Sequence, residues 1–330
     1  MIFQIMKKKD KVKFSYKDSL KSLDTEETID LLFYRPIGYF WSVLAYRLGV
    51  TPDAITIMGI FLGVGAGVCF FFPDMWWNLG GVALLMLANS FDSADGQLAR
   101  MTHRFSRLGR ILDGLCGDIW FTAIYAAICL RENFYGGDFF TTHLWAIWVL
   151  AAVTAIFHGI QAAMADYYRQ FHLYFVKGKE GSELDTASDL WDKFHALSWR
   201  RNPWQKLVLM FYTNYTTGQE KRTPWMQRFR RELKAKFGDD AVPADLREKF
   251  RAQSKPLMKY TNILSFNTRT IALFVAILVF RQPWLYFAFE ITVLNVVLVY
   301  MMWRHERICR RFIEEVKEYP ASEETPGAQA

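Results

Sequence analysis

Six runs of mostly apolar residues constrain this 330-residue chain more than any other feature: 55–72, 76–91, 111–130, 144–164, 263–280 and 284–303. Each approaches the roughly 20 residues a helix needs to cross about 30 Å of hydrocarbon. Inside a bilayer every backbone N–H and C=O must bond internally, which leaves helices or closed barrels. Continuous runs, without two-residue alternation, select helices. The chain is 52% hydrophobic and still 22% charged, so apolar spans must alternate with charged segments. The expectation is an all-α integral membrane protein with six transmembrane helices.

The segments between the spans set its organisation. Residues 1–34 form a basic cytosolic N-terminal arm with Lys7, Lys8, Lys9, Lys11, Lys13, Lys17 and Lys21, suited to anionic headgroups. Asp24 with Glu27 reads as a cap and its box partner opening a short helix. Pro36 starts a further helix in which Ile37, Phe40, Trp41, Leu44 and Leu48 form one stripe, predicting an N-terminal amphipathic helix lying in the interface. It belongs with spans 1–4 in a region 35–166. Residues 167–262, with 19 Lys and Arg against 11 Asp and Glu, predict a helical cytosolic insertion between spans 4 and 5. Spans 5 and 6 occupy 263–304, and 305–330 form a cytosolic tail.

Charge then orients the bundle. With the insertion inside, only 73–75, 131–143 and 281–283 lie outside, and their sole Lys or Arg residues are Arg131 and Arg281. The expected location is the inner or plasma membrane. The first residues, MIFQIMKKKDKVK, hold too short an apolar run for a secretory signal, and their lysines follow it. The net charge of +7 reads as attraction to membrane lipids, with no nucleic acid expected. Cys69, Cys116, Cys129 and Cys309 show no metal or redox spacing and read as small buried residues. Gly59, Gly63 and Gly67, four apart, form a ridge that lets another helix approach closely, within the bundle or across a dimer.

One stretch between spans carries chemistry. Residues 91–119 hold Asp92, Asp95, Asp113 and Asp118, with Gly96, Arg100 and Gly109 between them. Carboxylates beside hydrocarbon are costly to bury alone, and a divalent cation offsets that cost. Asp92 and Asp95, three apart, share a helix face.

These residues resemble the CDP-alcohol phosphotransferase family, whose pattern is D-x2-D-G-x2-A-R, about eight residues, then G-x3-D-x3-D. Asp92, Asp95, Gly96, Ala99, Arg100, Gly109 and Asp113 fall in place. The last aspartate does not: position 117 is Gly117, and Asp118 follows. Five residues past Asp113 is roughly 140° around a regular helix. Asp118 takes the family's place only if a π turn adds a residue near Gly114–Asp118. Otherwise the fourth carboxylate is missing.

The resemblance implies transfer of a substituted phosphate group from a CDP-linked donor, CDP-diacylglycerol foremost, to an alcohol acceptor, releasing CMP in phospholipid synthesis. Its alternatives are transfer of a CDP-linked polar headgroup to a lipid acceptor, and a catalytically silent lipid-binding member. It implies Mg²⁺ or Mn²⁺ held by Asp92, Asp95, Asp113 and Asp118, with Asp118 as catalytic base. It implies nucleotide contacts from Thr56, Asp92, Gly96, Arg100 and Gly109, a homodimer, and an active site facing the cytoplasm. Acceptor contacts are expected among Arg104, Arg107, Arg110, His158 and Arg269.

Overall fold

The computed structural model describes residues 16, 24–178, 182, 184–238 and 242–320, without the side chains of residues 107, 108, 110 and 111. The described residues form helices and no strands. Five helical stretches are long and apolar enough to cross a membrane: Pro52–Phe71, Leu112–Tyr135, Leu144–Lys177, Ala244–Val279 and Leu285–Glu318. The expected second span is a helix but is not among the five, because Asn78, Asn89, Ser90 and paired glycines dilute its apolar content.

The chain divides into two compact units. The first takes Met1–Ile156 and Phe266–Ile291, the second Phe157–Ser265 and Thr292–Ala330. In the first unit, helix α1 (Arg35–Leu48) opens with Pro36, whose missing N–H costs nothing in a first turn. Gly49, at φ +74°, closes it. Its buried residues are Gly38, Ser42 and Ala45, and this small face packs on α3, with Ser42 donating to the Ala94 carbonyl. Phe40 and Leu48 of the apolar stripe stay exposed. The cap expected at Asp24 is not where the helix begins. Residues 24–26 form a turn, the helix starts at 28, and the Glu27 carboxylate accepts from Asn267 instead.

Helix α2 (Pro52–Phe71) is capped by Thr51 and packs on α3 (Met75–Thr102) and α4 (Arg107–Tyr135). The glycine ridge makes this approach possible. A Cβ on Gly63 would lie 2.1 Å from the Trp120 ring, and one on Gly67 would meet the Ala123 backbone at 3.0 Å. The ridge therefore serves packing within the chain. Short α5 (Asp138–Thr142) follows. The core beneath gathers Phe70, Leu85, Trp120, Ile124 and Ile128 with Leu273 and Phe287.

The fifth and sixth expected spans each carry a π turn. Helix α12 (Phe266–Phe274) runs into a π turn, Val275–Val279, and α13 (Leu285–Phe289) into another, Glu290–Leu294. Arg281, at φ +53°, turns the chain between them. Arg269 and Glu290 form a buried ion pair at 2.6 Å. Tyr125 donates to the same carboxylate at 2.7 Å, and Tyr286 bonds it as well. Each charge has a partner, as hydrocarbon requires.

Helix α6 (Leu144–Lys177) crosses the boundary between units and runs past the expected end of span 4, since Asp166 and Arg169 are no obstacle to helix once outside hydrocarbon. In the second unit it is followed by α7 (Ala187–Ala196), α8 (Pro203–Lys221), α9 (Pro224–Phe237), α10 (Ala244–Ser254) and α11 (Met258–Ile263). Helix α14 (Asn295–Glu318) packs on α9, α10 and α11. Phe171, Phe175, Phe229, Phe250 and Phe312 form its aromatic centre.

Candidate metal centre

Two helices and a short turn build the site. Asp92 and Asp95 lie one turn apart near the end of α3, which His103 closes in the left-handed region at φ +51°. Ser106 starts α4, its hydroxyl accepting from the Gly109 N–H at 2.7 Å. That cap fixes the helix carrying Asp113. Asp92, Asp95 and Asp113 each offer an oxygen, and these atoms all lie within 4.8 Å of one another.

Asp95 is 4% exposed. Thr56 donates to its Oδ2 at 2.5 Å, whereas its Oδ1 is buried with no hydrogen-bond partner among the described residues. Burial first, then the neighbouring Asp92 and Asp113 carboxylates, push Asp95 well above the usual carboxylate range, and the Thr56 bond opposes this. A buried orphan oxygen beside two further carboxylates fits a divalent cation, which would complete the coordination of Oδ1 and remove the mutual repulsion. Asp92 is half-buried and Asp113 exposed, so the cluster opens on their side.

Neighbouring groups hold these ligands. Cys116, one turn past Asp113, donates its thiol towards Asp92 Oδ1 at 2.9 Å, with the Asp113 carbonyl at 3.1 Å. Ser106 Oγ lies 2.9 and 2.8 Å from the two oxygens of Asp53, tying the start of α2 to the start of α4. Gly109 has to be small here, because a Cβ would stand 2.3 Å from Asp53 Oδ1. A Cβ on Gly96 would lie 3.2 Å from Arg100 Nη1. Burial, then Arg35, lowers Arg100 to about 10, so it remains a cation at neutral pH. Gln97 donates to the Arg35 carbonyl and Arg35 pairs with Glu26 at 3.0 Å, bracing the segment before α1 against α3.

Some expected site residues lie elsewhere. Asp118 is exposed and outside the cluster. Helix α4 is α-helical across Gly114–Asp118. The anticipated π turn is therefore corrected: four-residue bonding carries Asp118 past the face that Asp113 occupies. Arg269 is 1% exposed and paired with Glu290. Arg104 is exposed, His158 is half-buried in the second unit, and the side chains of Arg107 and Arg110 lie outside the described residues. Thr56 meets Asp95 itself, a contact that orients a ligand. Sequence reasoning passed over Cys116 and the Ser106–Asp53 tie. Cys116 sits three residues past Asp113, the helical spacing that could have marked it.

Known proteins are similar to part of this chain. Phosphatidylinositol phosphate synthase from Mycolicibacterium smegmatis is 34% identical over 85 residues, 26% of this chain and 37% of the relative. The Streptomyces avermitilis protein of the same name is 35% identical over 86 residues, 26% of this chain and 34% of the relative. Choline/ethanolaminephosphotransferase 2 from Arabidopsis thaliana is 29% identical over 189 residues, 52% of this chain and 45% of the relative. The chain thus spans less than half the length of each. No solved structure matches it. Residues 49–179 match the model for CDP-alcohol phosphatidyltransferase. That stretch, which holds the aspartate cluster, is what the chain shares with the CDP-alcohol phosphatidyltransferase family.

Proposed function

We propose that the chain transfers a substituted phosphate group from a CDP-linked donor, CDP-diacylglycerol foremost, to an alcohol acceptor and releases CMP, in phospholipid synthesis. The observation that supports it most is the convergence of Asp92, Asp95 and Asp113 within 4.8 Å in the family-matched stretch. In the reaction the acceptor oxygen bonds to the phosphorus distal to cytidine. The P–O bond to CMP breaks, and CMP leaves with the bridging oxygen and its electron pair. The hydroxyl proton passes to a base or to water. A bound Mg²⁺ or Mn²⁺ would neutralise charge on the pyrophosphate and the departing CMP.

Asp92, Asp95 and Asp113 would hold that ion. Thr56 and Cys116 would orient Asp95 and Asp92. Gly96 and Gly109 would stand beside the nucleotide, and the Arg100 cation would balance its charge. The relatives' names divide between phosphatidylinositol phosphate and choline or ethanolamine. A headgroup carried by CDP and passed to a lipid acceptor is accordingly the alternative chemistry. The same reading has α3 crossing the membrane as a sixth span, the cluster facing the cytoplasm, and the chain working as a homodimer.

A second reading, a catalytically silent lipid-binding member, is favoured by one observation. Gly117 stands at the family's fourth aspartate and α4 brings no substitute there. CMP release decides between them. Purified protein is given CDP-diacylglycerol with inositol phosphate or glycerol phosphate, and CDP-choline or CDP-ethanolamine with diacylglycerol. Release with one pairing supports transfer. No release with any pairing, from protein that still binds CDP-diacylglycerol, supports the silent reading.

A further inference from the structure

The second unit contains a helix whose polar and apolar sides are exchanged. The buried residues of α8 are Lys206, Thr213, Thr216 and Gln219, all polar. Its exposed large side chains are Trp204, Val208, Phe211 and Tyr215, with Trp204 77% and Phe211 64% exposed. These four recur at steps of four, three and four residues. They therefore form one stripe, within about 60° of the helix circumference and about 16 Å long. A helix on a water-facing surface shows the opposite pattern, apolar inward and polar outward.

The polar side holds α8 in this orientation. Lys206 Nζ donates to the Leu197 carbonyl at 2.6 Å and lies 4.5 Å from the centre of the Phe194 ring. Gln219 donates to the Ala163 carbonyl of α6 at 2.8 Å. Trp191 of α7 donates to the Thr217 hydroxyl at 3.2 Å. Turning the stripe inward would break these bonds and strand their buried groups.

Charge selects what covers the stripe. Residues 193–219 include Lys193, Arg200, Arg201 and Lys206 and no Asp or Glu. Exposed Arg200 and Arg201 precede the helix beside exposed Trp199, and exposed Lys221 and Arg222 close it. Two copies packed stripe to stripe would bring like charges together at the ends, which opposes association. Anionic headgroups instead complement both ends, and Trp and Tyr favour the headgroup level. Helix α8 is not among the five helical stretches long and apolar enough to cross a membrane.

We propose that α8 lies flat in the membrane interface, with Trp204, Val208, Phe211 and Tyr215 at the boundary between lipid headgroups and acyl chains. The segment stands outside residues 49–179, which match the family model, and its lipid contact is independent of the aspartate cluster.

The test is spin-label accessibility in the full-length protein, reconstituted in nanodiscs of equal parts phosphatidylcholine and phosphatidylglycerol. Trp204→Cys, Val208→Cys and Phe211→Cys each carry a nitroxide, with Asp192→Cys as an exposed control on α7. Cys69, Cys116, Cys129 and Cys309 are buried, and protein with these alone gives the background. Collisions with oxygen, which concentrates in lipid, are compared with those of a water-soluble nickel chelate. The oxygen-to-nickel ratio should be several-fold higher at 204, 208 and 211 than at 192, and the three labels should report one depth. Phe211→Asp, read from the label at 208, should lower the ratio towards that at 192. Phe211 is exposed, so the substitution removes no internal packing, and an unchanged melting temperature checks this. A ratio on the stripe no higher than at 192 would leave it in water and overturn the proposal. Exclusion of both reagents with spin–spin broadening would place a second copy on the stripe and overturn it too. A depth that changes by the roughly 10 Å separating 204 from 211 along the axis would make α8 cross the membrane rather than lie in it. These measurements need neither a CDP substrate nor a metal, so their failure leaves the transferase reading untouched.

Discussion

Replacing Gly63 with alanine tests the packing that holds α4, and with it Asp113, against α2. The new Cβ would lie 2.1, 2.3 and 2.4 Å from three atoms of the Trp120 ring. Ordinary carbon contacts begin near 3.5 Å, so something must retreat by about 1.4 Å. The ring has little room. Trp120 is 2% exposed and its edge meets Phe266 at 5.6 Å between centroids. Overpacking of this kind costs about 1–3 kcal/mol, against roughly 1 kcal/mol gained because alanine favours helix over glycine. Gly80, in α3, has no atom within 4 Å of its Cβ position, so Gly80→Ala keeps the gain without the clash. The same substitution should thus move stability in opposite directions, the two variants differing by about 1–3 kcal/mol. At about 2–4 °C per kcal/mol, melting temperatures in detergent should separate by roughly 2–12 °C, read by scanning fluorimetry. If Gly63→Ala melts with or above Gly80→Ala, the tight α2–α4 approach is wrong.

Three further outcomes follow from other parts of the structure. Arg269→Met should cost about 3–5 kcal/mol by stranding buried Glu290, and Arg269→Met/Glu290→Leu should recover much of it; a double variant no more stable than the single contradicts the ion pair. With the second unit's helices cytoplasmic, a cysteine at exposed Ser188 should react with an impermeant maleimide only after the membrane is opened, and labelling in intact cells reverses the orientation. Asp118→Ala should retain CMP release where Asp113→Ala loses it, and Gly117→Asp, whose Cβ position has nothing within 4 Å, should raise turnover; loss in Asp118→Ala equal to that in Asp113→Ala would return Asp118 to the site.

The aspartate cluster was legible because its logic is local. Asp92 and Asp95 share a face by a three-residue step, and Asp113 follows a single turn of chain. The glycine ridge was legible as a contact surface, although only Trp120 and Ala123 reveal that its partner is α4. What escaped depends on residues far apart in sequence. Asp53 and Ser106 meet across 53 positions because α2 and α4 pack together. Cys116 looked like a small core residue until Asp92 lay beside it. The end of α6 differs for another reason: an apolar run gives the length of a span, while the helix continues as far as Lys177 with Tyr168, Phe171 and Phe175 buried in the second unit. Asp118 shows the limit of motif reasoning. A carboxylate one residue late invites a bulge, and α4 does not form one.

The central claim is that Asp92, Asp95 and Asp113 hold a divalent cation on which phosphate transfer depends. The most direct measurement is CMP release by purified wild-type protein and by Asp113→Asn, titrated with Mg²⁺ from chelated to saturating, with the acceptor found most active. Asp113 is exposed, so the variant should remain folded, as its elution and melting temperature would confirm. The account predicts metal-dependent release by the wild type and none by Asp113→Asn at limiting Mg²⁺. Release without divalent metal, or a variant whose turnover and Mg²⁺ requirement match the wild type, would contradict it.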